Sequence, residues 1–157
     1  MTDGAKEGTF LVTSADDAAA VLRDVTDGQV HTLSENPGLS EGEVLVATVA
    51  PEPPMEVTWT VESIDSQREI PVEKSPEPPT KQAREIAAEQ EVGEMTREER
   101  AGEGELHVIT VPEEETEEAT ADVLADEATL TQAAKLGVAR VEVRAADGVV
   151  SVRYLPN

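Results

Sequence analysis

The alternation of apolar and polar residues is clearest between residues 42 and 65. Residues 44–49 are apolar except for Thr48, and residues 57–62 then alternate strictly, with Val57, Trp59 and Val61 on one side. A period of two predicts a strand with one buried face. The proline-rich segment between the two runs, residues 51–54, favours a wide loop over a tight hairpin. We interpret the pair as the spine of a small β-barrel, with Trp59 as its core anchor.

Further short strands are predicted on both sides of this spine. Residues 9–13, 20–25 and 29–33 are rich in β-forming side chains, and Asp27-Gly28 is typical of a hairpin turn. Residues 69–73 are predicted as an edge strand, where Pro71 is tolerated, and the polar residues 1–7 are predicted to fray. Five or six strands separated by turns predict a closed barrel, OB-like or SH3-like, over residues 1–75.

A proline cluster marks the start of a second domain, residues 76–157. Residues 71–79 contain four prolines, which stiffen a linker. Residues 80–90 carry the thin apolar stripe of a helix, and residues 96–99 have capping-box spacing, which predicts another short helix. The glycine-rich residues 101–104 are predicted as a mobile loop.

The remainder of this domain alternates between strand and helix patterns. Residues 106–111 predict a central strand, and the glutamates at 113–115 suit the N-terminus of a helix that reaches about residue 124. Asp126 and Gly137 are predicted to begin and end a second helix. Together with a closing hairpin, these elements predict a C-terminal α+β layer of three strands with helices, and the whole chain is mixed α+β.

The closing hairpin can be paired residue by residue around the turn Asp147-Gly148. A two-residue turn pairs Ala146 with Val149 and Glu142 with Arg153. One face then carries Val141, Val143, Ala145, Val150, Val152 and Tyr154. The other carries Arg140, Glu142, Arg144, Ser151 and Arg153. A slip of one residue would mix the two faces, so this register is the prediction.

The charge of the chain restricts its setting. Its 157 residues include 34 acidic and 12 basic side chains, a net charge of −22, and only 2% are aromatic. Such a composition can mean disorder, but here the apolar residues recur in periodic runs. We therefore favour a folded protein adapted to high salt, because about 1 M salt shortens the Debye length to roughly 3 Å and screens self-repulsion. The absence of cysteine excludes disulfides and thiolate metal sites.

Several segments together resemble a small uncharacterised family of halophilic archaea. They are TFLVT at 9–13, QVHTL at 29–33, PEPPMEVTW at 51–59, TREERAGEGE at 96–105 and the closing hairpin. The resemblance covers nearly the full length and implies a cytoplasm that accumulates salt. It brings no activity and no known site, so no functional residue is carried over.

Signatures of enzymes are missing from the sequence. It contains no dinucleotide-binding glycine pattern, P-loop, nucleophile elbow or His-Glu-x-x-His, so we expect no enzyme, no catalytic residue and no cofactor. His31 and His107 lie in predicted strands, where a lone histidine is usually structural. The glutamates at 113–118 lack the pattern of a calcium loop and are interpreted as hydrated surface rather than a metal site. Trp59 could stack on a base, but we favour a core position.

The arginines of the hairpin are the sharpest candidate for a binding site. Arg140, Arg144 and Arg153 are three of only eight arginines, and guanidinium groups suit phosphate. The alternative, which we favour, is internal ion pairing, for example of Arg153 with Glu142. Two functions remain: a nucleic-acid-associated module that binds RNA through the barrel and this face, or a protein-interaction or assembly module. No apolar run approaches the roughly 20 residues that span a bilayer and residues 1–7 lack a signal-like segment, so we expect a cytoplasmic protein.

Overall fold

The structure is a computed structural model that describes residues 4–99 and 104–156. By its internal contacts the chain forms two compact units. One comprises the residues up to Ile70 together with Leu130–Lys135, and the other comprises Pro71–Thr129 together with the residues from Leu136. The predicted domain boundary after residue 75 stays a prediction. Of the predicted loop at 101–104, only Gly104 lies within the described residues.

The first unit contains a closed five-stranded barrel, which confirms the predicted barrel. Its strands are β1 (Lys6–Ala15), β2 (Ala20–Asp24), β3 (Val30–Leu33), β4 (Glu43–Pro51) and β5 (Trp59–Glu69). They are ordered β1-β2-β3-β5-β4 around the barrel, with β4 antiparallel to both β1 and β5. The barrel closes through a parallel contact between β3 and β5, where Leu33 pairs with Trp59. The predicted fraying of residues 1–7 is wrong at Lys6 and Glu7, because both pair with β4.

The core of the barrel is built from residues that alternate along these strands. Phe10, Leu22 and Leu45 are fully buried in it, and smaller apolar residues from β1, β2 and β4 fill the spaces between them. Trp59 is only partly buried and packs against this cluster together with Val61. The prediction that Trp59 anchors the core is therefore only partly correct: Trp59 contacts the core but is not fully buried, because β5 starts at Trp59, at one end of the barrel. Val57 lies before the strand and is exposed.

The second unit contains a five-stranded sheet, not the predicted layer of three strands. The additional strands are β6 (Val72–Lys74) and β7 (Met95–Glu99), which join β8 (Glu105–Thr110), β9 (Arg140–Ala146) and β10 (Val149–Leu155). The order is β6-β9-β10-β8-β7, so β10 is the central strand and not β8. The predicted register of the β9–β10 hairpin is confirmed at every pair.

Both additional strands correct the sequence interpretation. The segment around Pro71 does supply an edge strand, but β6 pairs in parallel with β9 of the second sheet rather than with the barrel. Pro71 redirects the chain there, and its carbonyl accepts a hydrogen bond of 2.9 Å from the Val141 amide. The helix predicted at residues 96–99 is wrong, because these residues pair with β8 and the gain from that ladder outweighs a local capping pattern.

The helices lie where the sequence predicted them, and the predicted caps of the last one, Asp126 and Gly137, flank it. The helix α1 (Lys81–Ala88) begins after Thr80, whose hydroxyl accepts a hydrogen bond from the Ala83 amide, and it packs on β8. The helices α2 (Thr116–Ala125) and α3 (Glu127–Leu136) meet at Asp126, which accepts a hydrogen bond of 2.9 Å from the Ala128 amide. Among the described residues, no helix has the length and apolar character needed to cross a membrane.

Candidate functional site

The predicted arginine face exists on the hairpin of the second unit. Arg140, Arg144 and Arg153 all project toward Glu142, which lies at the middle of β9. Arg144 and Arg153 both donate to the same Glu142 oxygen, Oε1, at 2.7 Å, and a guanidinium nitrogen of Arg140 lies 3.8 Å from the other oxygen, Oε2. Arg144 also contacts Glu77, at 2.9 Å. The three arginines are thus engaged with two carboxylates.

Solvent reaches these arginines unequally. The side chains of Arg144 and Arg153 are only 16% and 21% exposed, whereas Arg140 is 45% exposed. Burial acts to raise the pKa of Glu142, but the hydrogen bonds and charges of Arg144 and Arg153 outweigh it, so this pKa lies below its usual value. The pairing therefore adds stability that is present above the unfolded pKa and is lost as the pH falls through the folded one.

Replacing all three arginines by glutamine should destabilise the fold. The change leaves the carboxylate of Glu142, only 18% exposed, without its partners. We expect a loss of about 3 kcal/mol in the free energy of unfolding, the lower end for breaking a buried ion pair. Urea unfolding at fixed salt measures it, with Arg84→Gln on the exposed face of α1 as a control that should change by less than about 0.5 kcal/mol. A triple variant as stable as the control would show that the face is not held by these pairs.

A second polar cluster lies inside the barrel unit, around Lys6 at the start of β1. Its ammonium group contacts Asp24 at 3.1 Å, Asp27 at 2.9 Å and the Gln29 amide oxygen at 2.9 Å. It also lies 3.3 Å from Nε2 of His31. Burial acts to lower the pKa of Lys6, but the two aspartates outweigh it and raise this pKa. The cluster ties the β2–β3 turn to the first strand.

His31 is the buried end of this cluster. Its ring is fully buried and makes edge-on contacts with Phe10, at 5.5 Å between centroids, and Trp59, at 4.4 Å. An ammonium group only donates, so Nε2 accepts and the hydrogen is on Nδ1, which has no hydrogen-bond partner among the described residues. Burial and then the charge of Lys6 lower the pKa of His31. The neutral ring is a packing group of the barrel and is closed to solvent.

The other sequence candidates are a second histidine and a run of glutamates. His107 is buried in β8, where Nε2 lies 2.8 Å from Glu105 and the ring packs on Tyr154. The glutamates at 113–118 begin a short 3-10 turn and α2, at the helix N-terminus that the sequence predicted. Within residues 4–99 and 104–156, no group of three or more acidic, histidine or cysteine side chains is arranged to hold a metal ion.

The sequence predicted a wide loop between β4 and β5, residues 52–58, but it missed the two apolar side chains that this loop exposes. Its side chains Met55 and Val57 are 75% and 72% exposed. The loop is nevertheless folded on itself: the Glu52 amide donates to the Thr58 carbonyl and the Glu56 amide donates to the Glu52 carbonyl, both at 2.8 Å. Glu56 has a left-handed backbone with φ of 56°, which is uncommon outside glycine. In the sequence, the available signal for this feature was the apolar pair Met55 and Val57 within a segment of prolines and glutamates.

Two contacts connect this loop to the barrel. The hydroxyl of Ser34, just after β3, bonds to the carboxylate of Glu52. Trp59 follows Val57 by two residues, and its partly buried indole joins the loop to the core through His31. These two contacts anchor the loop to the barrel, so Met55 and Val57 are exposed on an ordered segment. Single exposed apolar residues are ordinary on a protein surface, whereas exposed apolar residues grouped together mark interaction sites, so it is the pairing of Met55 and Val57 on one loop that indicates such a site.

The fold and these features define a mixed α+β protein that combines a closed five-stranded barrel with a five-stranded sheet. The chain belongs to the family of unknown function DUF5812, which it matches over residues 6–145. Neither a curated protein nor a solved structure matches it.

Proposed function

We propose that the chain is a non-enzymatic binding module whose partner is a protein, bound at the β4–β5 loop. One observation carries this proposal: Met55 and Val57 expose about three quarters of their side chains on a loop that two backbone hydrogen bonds hold in shape. A loop ordered in this way loses little further entropy on binding. The half-buried Trp59 beside it belongs to the residue type most enriched at interface hot spots.

A nucleic-acid-associated module, for example one that binds RNA, is the second candidate. It is supported by the closed barrel with strand order β1-β2-β3-β5-β4 and a parallel β3–β5 contact, which we interpret as OB-like, because OB barrels commonly bind oligonucleotides. Arg140, Arg144 and Arg153 would contact the phosphates. Against it stand the pairing of these arginines with Glu142 and Glu77 and the net charge of −22. Counterion release also weakens as salt rises.

We infer that the module works in the salt-rich cytoplasm of a halophilic archaeon. The support is the charge of −22 on 157 residues, which an ordinary ionic strength screens poorly. In such a setting steering by charge is weak over distance, whereas the burial of apolar side chains retains its strength. A small apolar site on an acidic surface suits these conditions.

A capture experiment in high salt tests the protein-binding proposal. The full chain and its Met55→Ser/Val57→Ser variant are immobilised and exposed to lysate of the source cell in about 2 M KCl, with and without nuclease. We expect a defined protein partner that the chain retains after nuclease treatment and that the variant loses at least tenfold. The matched control is Val92→Ser/Met95→Ser, which removes an exposed valine and methionine elsewhere and should retain the partner.

The same experiment separates the two candidates. The nucleic-acid module would be favoured if RNA capture does not depend on Met55 and Val57. RNA capture would also have to be lost when Arg140, Arg144 and Arg153 are changed to Gln in a variant that circular dichroism shows to be folded. Equal loss of the partner in the loop variant and in the Val92/Met95 control would refute the assignment of the loop.

A further inference from the structure

The chain on both sides of the β4–β5 loop carries no positive charge over a long stretch, and the nearest cation on a neighbouring strand, Lys6, is paired with Asp24 and Asp27. Residues 32–67 include no Lys or Arg but carry seven acidic side chains. This stretch supplies the β3–β4 connection, all of β4, the β4–β5 loop and most of β5. The exposed apolar pair therefore lies in a segment that carries seven negative charges and no positive one.

Two acidic side chains of this stretch, one at each end of β4, accept hydrogen bonds from uncharged groups. The carboxylate of Glu52 bonds to the Ser34 hydroxyl, and that of Glu43 accepts from the Gln67 amide at 3.0 Å. Such contacts orient a carboxylate but leave its charge uncompensated. A partner that buries Met55 and Val57 has to bring positive charge with it, because burying carboxylates without a counter-charge is costly.

From this we propose, on the basis of the protein-binding function above, that the partner at the β4–β5 loop is a basic apolar polypeptide segment. Its large aliphatic side chains pack on Met55 and Val57, and the Lys or Arg residues that flank them face Glu52, Glu56 and Glu62. The exposed apolar pair is the reason for the aliphatic side chains of the partner, and the absence of Lys and Arg from residues 32–67 is the reason for its positive charge.

The same charge argument disfavours the other possible occupants of this surface. A second copy of the chain would bring an identical acidic loop, and like charges placed together across an interface oppose association. Phosphates of a nucleic acid and the headgroups of an anionic membrane carry the same sign as the loop. A cationic polypeptide is the occupant that gains from both the apolar and the charged parts of the site.

A peptide series tests the chemistry of the partner. Three dye-labelled peptides of equal length have leucine at the same positions and contain no Trp or Tyr. At all other positions the cationic peptide has Lys and Arg, the uncharged peptide has Ser and Gln, and the acidic peptide has Glu. Anisotropy gives Kd for the full chain at about 0.5 M and about 2 M KCl, after circular dichroism has shown it folded at both. We expect the cationic peptide to bind at least tenfold more tightly than the acidic one, with a smaller ratio at the higher salt.

The site itself is assigned by variants and by the single tryptophan. Met55→Ser/Val57→Ser should weaken the cationic peptide about tenfold, Val92→Ser/Met95→Ser should not, and binding should shift the emission of Trp59. An uncharged peptide that binds as tightly as the cationic one would overturn the inference about charge and leave protein binding standing. Tighter binding of a labelled oligothymidylate at the loop would overturn both. If no peptide binds while the lysate partner is captured, the basic apolar segment alone is refuted.

Discussion

Transfer from about 1 M to about 0.01 M KCl should unfold the chain or lower its unfolding midpoint by roughly 10–20 °C. The net charge of −22 is screened over about 3 Å at the higher salt but acts over about 30 Å at the lower one. Domains are stabilised by only about 5–15 kcal/mol in total, so a repulsion of about 5 kcal/mol is a large share. For a chain of this size each kcal/mol corresponds to about 2–4 °C.

Thermal scans followed by circular dichroism at a series of KCl concentrations measure this dependence. Sucrose at matched osmolality is the control, because it strengthens apolar burial without screening charge. We expect sucrose to restore only a small part of the loss. A midpoint that is the same at both salt concentrations, or that sucrose restores fully, would refute the idea that screened repulsion controls the stability of this fold.

The sequence pattern within the β9–β10 hairpin was enough to predict that hairpin in full. The register of β9 and β10 followed from Asp147-Gly148 and from alternation on both sides, and every predicted pair is present. The two edge strands of the same sheet were not predictable in this way. Residues 96–99 are polar throughout and become a strand only because β8 offers a free edge. The β6 strand is three residues long and pairs with β9, which lies far from it in the chain.

The candidate sites show the same division. The alternation of side chains along the hairpin was enough to place Arg140, Arg144 and Arg153 on one face with Glu142. It could not identify Glu77, which comes from the segment before α1 and contacts Arg144. Lys6 and His31 lie 25 positions apart and meet only because β1, β2 and β3 are neighbours in the barrel. The alternation of residues 57–62 assigned Val57 to the buried face. The strand starts two residues later, however, and the side chain of Val57 is exposed in the loop.

Replacing Phe10 by alanine should cost about 3–5 kcal/mol in the free energy of unfolding, the usual range for deleting a buried aromatic side chain. Phe10 has no exposed surface, pairs with both Asp24 and Leu45, and packs edge-on against His31. Trp59 packs on the same core from the end of the barrel and keeps part of its surface in solvent, so Trp59→Ala should cost less.

Urea unfolding at constant high KCl, followed by circular dichroism, ranks these variants, and the emission of Trp59 reports on the barrel unit in the Phe10 variants. Phe10→Leu is the matched control and should cost at most about 1.5 kcal/mol, because it keeps an apolar side chain of similar size in the core. Burial, and not ring size, decides the loss, because the larger indole is the more exposed of the two side chains. A greater loss for Trp59→Ala than for Phe10→Ala would return the role of core anchor to Trp59.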